Sequence, residues 1–248
     1  MLSSAVGATK SLVKLFTTVG LVLLPLACFS APFQNLDFES AQIVQTSDFY
    51  PYSVVLSQAL PHWQGTVENG PVSFAIYDAM VLDYNAVGIY DTNPLYSGGP
   101  GPMFGKYSAY LESSYNGPSY PADAEISQTG LIPSNTKSIW FATTPFLLAH
   151  NQQPDDVKPL FSVNGQGISY TAMDVETNYV LWAADISSFA NTTAEIRFAL
   201  KVGSGGAVGL DNISFSPQVV PEPTTLGLTA LALSVLGLGF GSRRRKTG

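Results

Sequence analysis

Pro221-Glu222-Pro223 sets one carboxylate between two residues that cannot enter a helix interior, so the backbone stays extended and offers a processing enzyme a rigid strip to read. Other chemistry has thinner support. Glycoside hydrolysis needs two carboxylates flanking one bond, and the seventeen acids between residues 32 and 217 include no pair that spacing marks out. Asp155-Asp156, beside Pro154, reads as a loop. A nucleophilic triad needs a base, and the histidines are His62 and His150, with no Gly-x-Ser-x-Gly turn to present a serine. Two distant histidines and no cysteine in that stretch argue against zinc. Gly203-Ser204-Gly205-Gly206 and Ser97-Gly98-Gly99-Pro100-Gly101-Pro102 lack the strand-to-helix setting and lysine of a phosphate loop. Aromatic rings can stack on the C–H faces of sugars. Tyr84, Tyr90, Tyr96, Tyr115 and Tyr120 crowd a Gly- and Pro-rich stretch, so loop tyrosines are the expected ligand platform, whereas Trp140 and Trp182 fall in strands and read as core. The balance points to a non-catalytic protein.

Five cations, Lys106, Lys137, Lys158, Arg197 and Lys201, face those seventeen acids, and so acidic a surface repels phosphate backbones and excludes nucleic acid as partner. Calcium or neutral ligands suit it better. The single cysteine, Cys28, precedes this stretch, so the domain must hold together without an internal disulfide.

The ends carry their own signals. Lys10 and Lys14 precede the apolar run Leu15–Leu24, Pro25 breaks it, and small residues follow, which is the layout of a secretory leader with cleavage before Ala31. Lipoprotein processing before Cys28 is the alternative. Thr224 to Phe240 supplies about 17 weakly polar or apolar residues, near the lower limit for a membrane-spanning helix. Arg243, Arg244, Arg245 and Lys246 follow directly and keep that end cytoplasmic, leaving the domain outside. The expected organisation is a signal peptide over 1–30, a β-domain over 31–217, a Pro-Glu-Pro linker over 218–223, a transmembrane sorting helix over 224–242 and a basic tail over 243–248.

Pro221-Glu222-Pro223, the short glycine-rich span and the arginine cluster together resemble the PEP-CTERM sorting domain of Gram-negative bacteria, over about 220–246. The resemblance implies recognition by exosortase, an integral-membrane enzyme, transient residence in the inner membrane, and delivery to the cell surface or matrix in company with exopolysaccharide and biofilm. A permanent anchor behind an ordinary proline stalk is the alternative.

Between the ends, short apolar stretches alternate with Gly, Pro, Asn and Ser clusters, as an all-β sandwich requires. Glu195 to Val202 is the clearest strand, with Ile196, Phe198, Leu200 and Val202 on one face and Glu195, Arg197, Ala199 and Lys201 on the other. Further strands are predicted at Phe33–Phe38, Val72–Tyr77, Ala86–Tyr90, Tyr107–Leu111, Ala124–Gln128, Ser138–Thr143, Leu160–Val163, Ile168–Ala172, Tyr179–Ala183 and Leu210–Phe215. Asn164-Gly165-Gln166-Gly167 predicts a hairpin turn.

Asn35-Leu36-Asp37-Phe38-Glu39, Pro61-His62-Trp63, Gly105-Lys106-Tyr107-Ser108-Ala109-Tyr110-Leu111, Ile126-Ser127-Gln128-Thr129, Val163-Asn164-Gly165, Asp185-Ile186-Ser187-Ser188-Phe189, Ile196-Arg197-Phe198 and Leu210-Asp211-Asn212-Ile213-Ser214-Phe215 follow one another in an order that resembles the galactose-binding-like jelly roll. That resemblance spans 33–215 and implies a carbohydrate-binding fold with a structural calcium where first and last strands meet, Glu39 and Asp211 occupying the ligand positions. Two solvated strand-end acids are the alternative. The expected function is therefore an exported, exosortase-sorted surface or matrix protein whose jelly roll contacts polysaccharide; a structural or adhesive protein without a sugar site, or an extracellular polysaccharide hydrolase, stand as alternatives.

Overall fold

A computed structural model describes residues 31–46, 52–79, 85–91, 101–113, 124–144, 158–200 and 206–220. The expected leader and tail helices lie outside the described residues, among which no helix is long and apolar enough to cross a membrane. The chain forms β1 (Ser53–Val55), a four-residue helix α1 (Leu56–Ala59), β2 (Gln64–Val67), β3 (Gly70–Val72), β4 (Phe74–Tyr77), β5 (Ala86–Tyr90), β6 (Ser108–Glu112) and β7 (Ala124–Leu131). Then follow β8 (Ser138–Thr143), β9 (Leu160–Val163), β10 (Gln166–Gly167), β11 (Thr171–Val175), β12 (Val180–Asp185), β13 (Thr193–Leu200) and β14 (Ala207–Ser216).

These strands make a two-sheet sandwich. One sheet has eight strands in the order β1-β4-β5-β6-β14-β8-β12-β11, the other six in the order β10-β9-β13-β7-β2-β3. Pairings are antiparallel except β4 with β5. Ile196, Phe198 and Leu200 of β13 are buried, while Glu195 and Arg197 face outward. Ala199, on the outward side, is buried too, in the lining of a cleft on that face. Phe141 of the larger sheet meets Phe198 of the smaller at 5.0 Å between ring centroids and Phe161 at 5.8 Å. Such edge-on and tilted contacts add to the area that large rings remove from water.

β5 and β6 are buried along their whole length, so the larger sheet is covered on both faces there. Outside the main core, Tyr90 and Tyr110 stack at 4.2 Å among Ile76, Ala79, Ala86 and Ala207. Gly88 makes room for this pair: a Cβ there would lie 2.0 Å from the Tyr110 ring. The Tyr110 hydroxyl donates to the Ala79 carbonyl.

A hairpin does form at Asn164-Gly165, with φ of 49° and 75°, but Gln166 and Gly167, expected within the turn, pair with Val163 and Ser162 as β10, and the strand expected over 168–172 is replaced by β11 in the other sheet. The strand expected over 33–38 does not form; Asn35 (φ 50°) and Phe38 (φ 59°) turn the chain, leaving one bridge from Pro32 to Leu131. The run expected over 72–77 breaks at Ser73, and its halves, β3 and β4, belong to different sheets.

The connections that bring the chain back at one end of the sandwich are stitched together. Leu131 N–H donates to Ala31 C=O, Ile132 to Thr192, Asn191 to Ile132, Ile186 to Lys137 and Lys137 to Ser216. The first and last described segments therefore meet there, with Phe33 and Phe215 in ring contact at 5.1 Å.

Candidate functional sites

Glu39 and Asp211 do converge, on the loop that leads into β6. Glu39 Oε1 accepts the backbone N–H groups of Lys106 at 2.7 Å and Tyr107 at 3.0 Å. Asp211 Oδ2 accepts the Phe104 N–H at 3.0 Å and the Ser108 hydroxyl at 2.5 Å, and its Oδ1 accepts the Asn212 N–H at 2.6 Å. Gly105 lets the loop pass: its φ is +59°, and a Cβ would lie 2.3 Å from Glu39 Oε1. Asp211 is fully buried in β14, and burial, with a smaller push from Glu39, raises its pKa to about 6 against the pull of its three donors. Two negative groups thus share one short loop, a setting in which a hard cation would relieve repulsion. Among the described residues, no group of three or more His, Cys, Asp or Glu side chains is arranged to hold a metal.

The tyrosine platform is placed only in part. Tyr84, Tyr96, Tyr115 and Tyr120 lie outside the described residues, as do the sorting residues Pro221, Glu222, Pro223, Arg243, Arg244 and Arg245. Tyr90 corrects the platform expectation: it ends β5, as the predicted strand has it, but it is 1% exposed and stacked on Tyr110, so no surface ligand reaches its ring. Trp182 is core, with its N–H donated to the Thr143 hydroxyl at 2.8 Å, whereas Trp140 is only half-buried. Trp63 is buried too, and donates to the Asn35 carbonyl.

Near Tyr90 lies a second acidic group. Asp91 N–H donates to Asp78 Oδ1 at 2.8 Å, and the Tyr77 hydroxyl to Asp91 Oδ2 at 2.5 Å. Asp78 Oδ2 and the Tyr90 hydroxyl are buried without a hydrogen-bond partner. Burial raises the Asp78 pKa to about 6; the Asp91 N–H works against that and the Asp91 carboxylate adds to it.

Sequence reasoning missed the open cleft of about 700 Å³ on the outer face of the smaller sheet, flanked by the chain after β10. Its floor carries Glu125, Ser162, Arg197, Leu160 and Ala199; Lys158 and Tyr170 form its wall. Arg197 is clamped, with Nη1 3.1 Å from Glu125 Oε2 and Nη2 2.8 Å from Glu195 Oε1. The Tyr170 hydroxyl donates to the Pro159 carbonyl at 2.5 Å, and its ring meets Trp182 edge-on. A signal was available: Arg197 is the sole arginine between 32 and 217 and points outward from the clearest strand. Fixed charge pairs beside small apolar patches suit a neutral, hydroxyl-rich ligand, which can take hydrogen bonds without importing charge.

Residues 219–246 match the PEP-CTERM protein-sorting motif. No curated protein matches the chain in sequence. Solved structures with a similar backbone include the enzymatically active domain of tailspike protein 4 from bacteriophage CBA120, at 13% identity and a TM-score of 0.35 over 63% of this chain and 19% of that one. The chain thus spans about a fifth of the tailspike's length. A cleaved adhesin domain of Lys-gingipain from Porphyromonas gingivalis is similar at 11% identity and a TM-score of 0.37, over 65% of this chain and 92% of that one. The CBM27-1 module of Caldicellulosiruptor saccharolyticus, solved with mannohexaose, is similar at 14% identity and a TM-score of 0.31, over 54% and 84%.

Proposed function

We propose that the chain is an exported protein held in the inner membrane of a Gram-negative bacterium by its C-terminal tail, processed there by exosortase, and delivered to the cell surface or extracellular matrix. The match of residues 219–246 to the sorting motif carries this reading. In the same proposal the sandwich is a jelly roll of the galactose-binding-like kind that contacts the producing cell's exopolysaccharide in a biofilm without cleaving it. The cleft over Arg197, Ser162 and Tyr170 supports that part. One calcium ion between Glu39 and Asp211 belongs to the proposal as well, since it would offset the repulsion of two acids drawn to one loop.

Intact-mass analysis of the exported protein tests the sorting: loss of the segment after the Pro-Glu-Pro strip is expected, and a mature protein that keeps residues 224–248 overturns it. Calorimetry with the producer's purified exopolysaccharide tests the ligand. Binding that weakens at least tenfold in Ser162→Trp, which fills the cleft, is expected; no binding with calcium present overturns the sugar claim alone. For calcium, the expected result is a rise in melting temperature on addition to the wild type that Glu39→Gln abolishes.

A further inference from the structure

We infer that the sandwich stands on a lipid surface through the end where both termini leave it, with lipid headgroups as the partner of that face; this rests on the membrane-attached tail proposed above. The distances allow little else. Strand β14 runs to Ser216 paired with Ser138, and the chain is still tied at Gln218, whose carbonyl accepts the Ser138 hydroxyl at 2.7 Å. The apolar tail begins at Thr224, so residues 219–223 are the whole tether, which reaches at most about 18 Å when fully extended. The ten residues of β14 alone rise about 34 Å. The opposite end, where β6, β13 and β8 finish, therefore cannot swing down to the membrane while the tail is inserted.

The surface of that end fits the assignment. Leu131 and Val219 are 37% and 67% exposed, and Pro32, Pro133 and Pro217 are exposed beside them. Its charges include both signs: Asp185, which accepts the Ser187 N–H at 2.8 Å and is held below its ordinary pKa chiefly by that bond, and Lys137, whose charge adds a smaller pull in the same direction. On a domain this acidic, a partly apolar end that carries charges of both signs is the face that approaches lipid headgroups at least cost. The N-terminus adds a second constraint. Ala31 is bonded to Leu131 and Phe33 touches Phe215, so a leader that still spans the membrane enters from the same side as the tail.

The test uses the chain from Ala31 onward, which lacks a cysteine of its own, reconstituted in vesicles that carry spin-labelled headgroups, with a fluorophore on one introduced cysteine. Ser134→Cys lies in the exposed turn of the terminal end, and Asn178→Cys in the exposed turn between β11 and β12 at the other. The label at 134 is expected to be quenched several-fold more than that at 178, and a ten-residue Gly-Ser insertion after Gln218 is expected to abolish the difference. Equal quenching in a chain that floats with the vesicles overturns the orientation and leaves the tail reading intact. A chain that does not float overturns both.

Discussion

Asp211, within β14, and Asp78, just past the end of β4, are both buried, and burial lifts both to a pKa of about 6, yet they are held differently. Asp211 takes three hydrogen bonds and ties the loop before β6 to the last strand; Asp78 takes one N–H on one oxygen and leaves the other buried without a partner. A raised pKa therefore reports desolvation, whereas the donors decide what the side chain contributes. The first carboxylate is a clasp. The second is a buried acid whose charge is costly.

Four measurements would break or sharpen that contrast. Asp211→Ala leaves the Phe104 N–H, the Ser108 hydroxyl and the Asn212 N–H without their acceptor and is expected to cost about 3–4 kcal/mol in denaturant unfolding. A loss below about 1 kcal/mol would mean the clasp carries no stability. Gly105→Ala strains a positive φ and drives a Cβ into Glu39, and about 2 kcal/mol of destabilisation is expected by the same measurement. Both aspartates bind a proton more tightly folded than unfolded, so their contribution is fully present below the ordinary carboxylate pKa of 3.8 and lost as pH rises through about 6. Melting temperatures should accordingly fall between pH 4 and 7, with Asp211→Asn and Asp78→Asn each flattening the slope; a slope unchanged in both variants would contradict the assignment. Asp78→Asn should be the mildest change, raising stability at pH 8 by about 1 kcal/mol because it removes a buried charge that little compensates. A loss there would make Asp78 a second clasp.

Strand by strand, the legible parts were those in which period and turn chemistry agree. Ala86–Tyr90, Ser138–Thr143 and Leu160–Val163 are found at the predicted bounds, and the Asn164-Gly165 turn forms, but it joins β9 to the short β10 and not to the strand expected over 168–172, which gives way to β11 in the other sheet. The acids Glu39 and Asp211 were expected where the first and last strands meet; the structure instead brings both to the loop before β6, through N–H groups that spacing does not reveal. β1 and β2 were not foreseen: Ser53–Val55 and Gln64–Val67 are short, and Gly65 and Thr66 give no apolar alternation to detect. Tyr90 was expected both at the end of a strand and among exposed ligand-facing tyrosines; the strand is right and the exposure wrong, because Gly88 on its own strand makes room for Tyr110, on which the Tyr90 ring stacks. The cleft over Arg197 draws on β7, β9, β13 and the 165–170 segment together, a convergence that linear spacing does not encode.

The position of β14 bears on how the domain would take a pull on its C-terminal end. It lies inside the larger sheet, hydrogen-bonded to β6 on one side and β8 on the other, and the tail leaves from its end. Tension applied to the segment that follows Ser216 would load that strand along its length. Its hydrogen bonds would then resist together in shear instead of opening one after another like a zip, so the attachment point is also the part of the domain best placed to bear force.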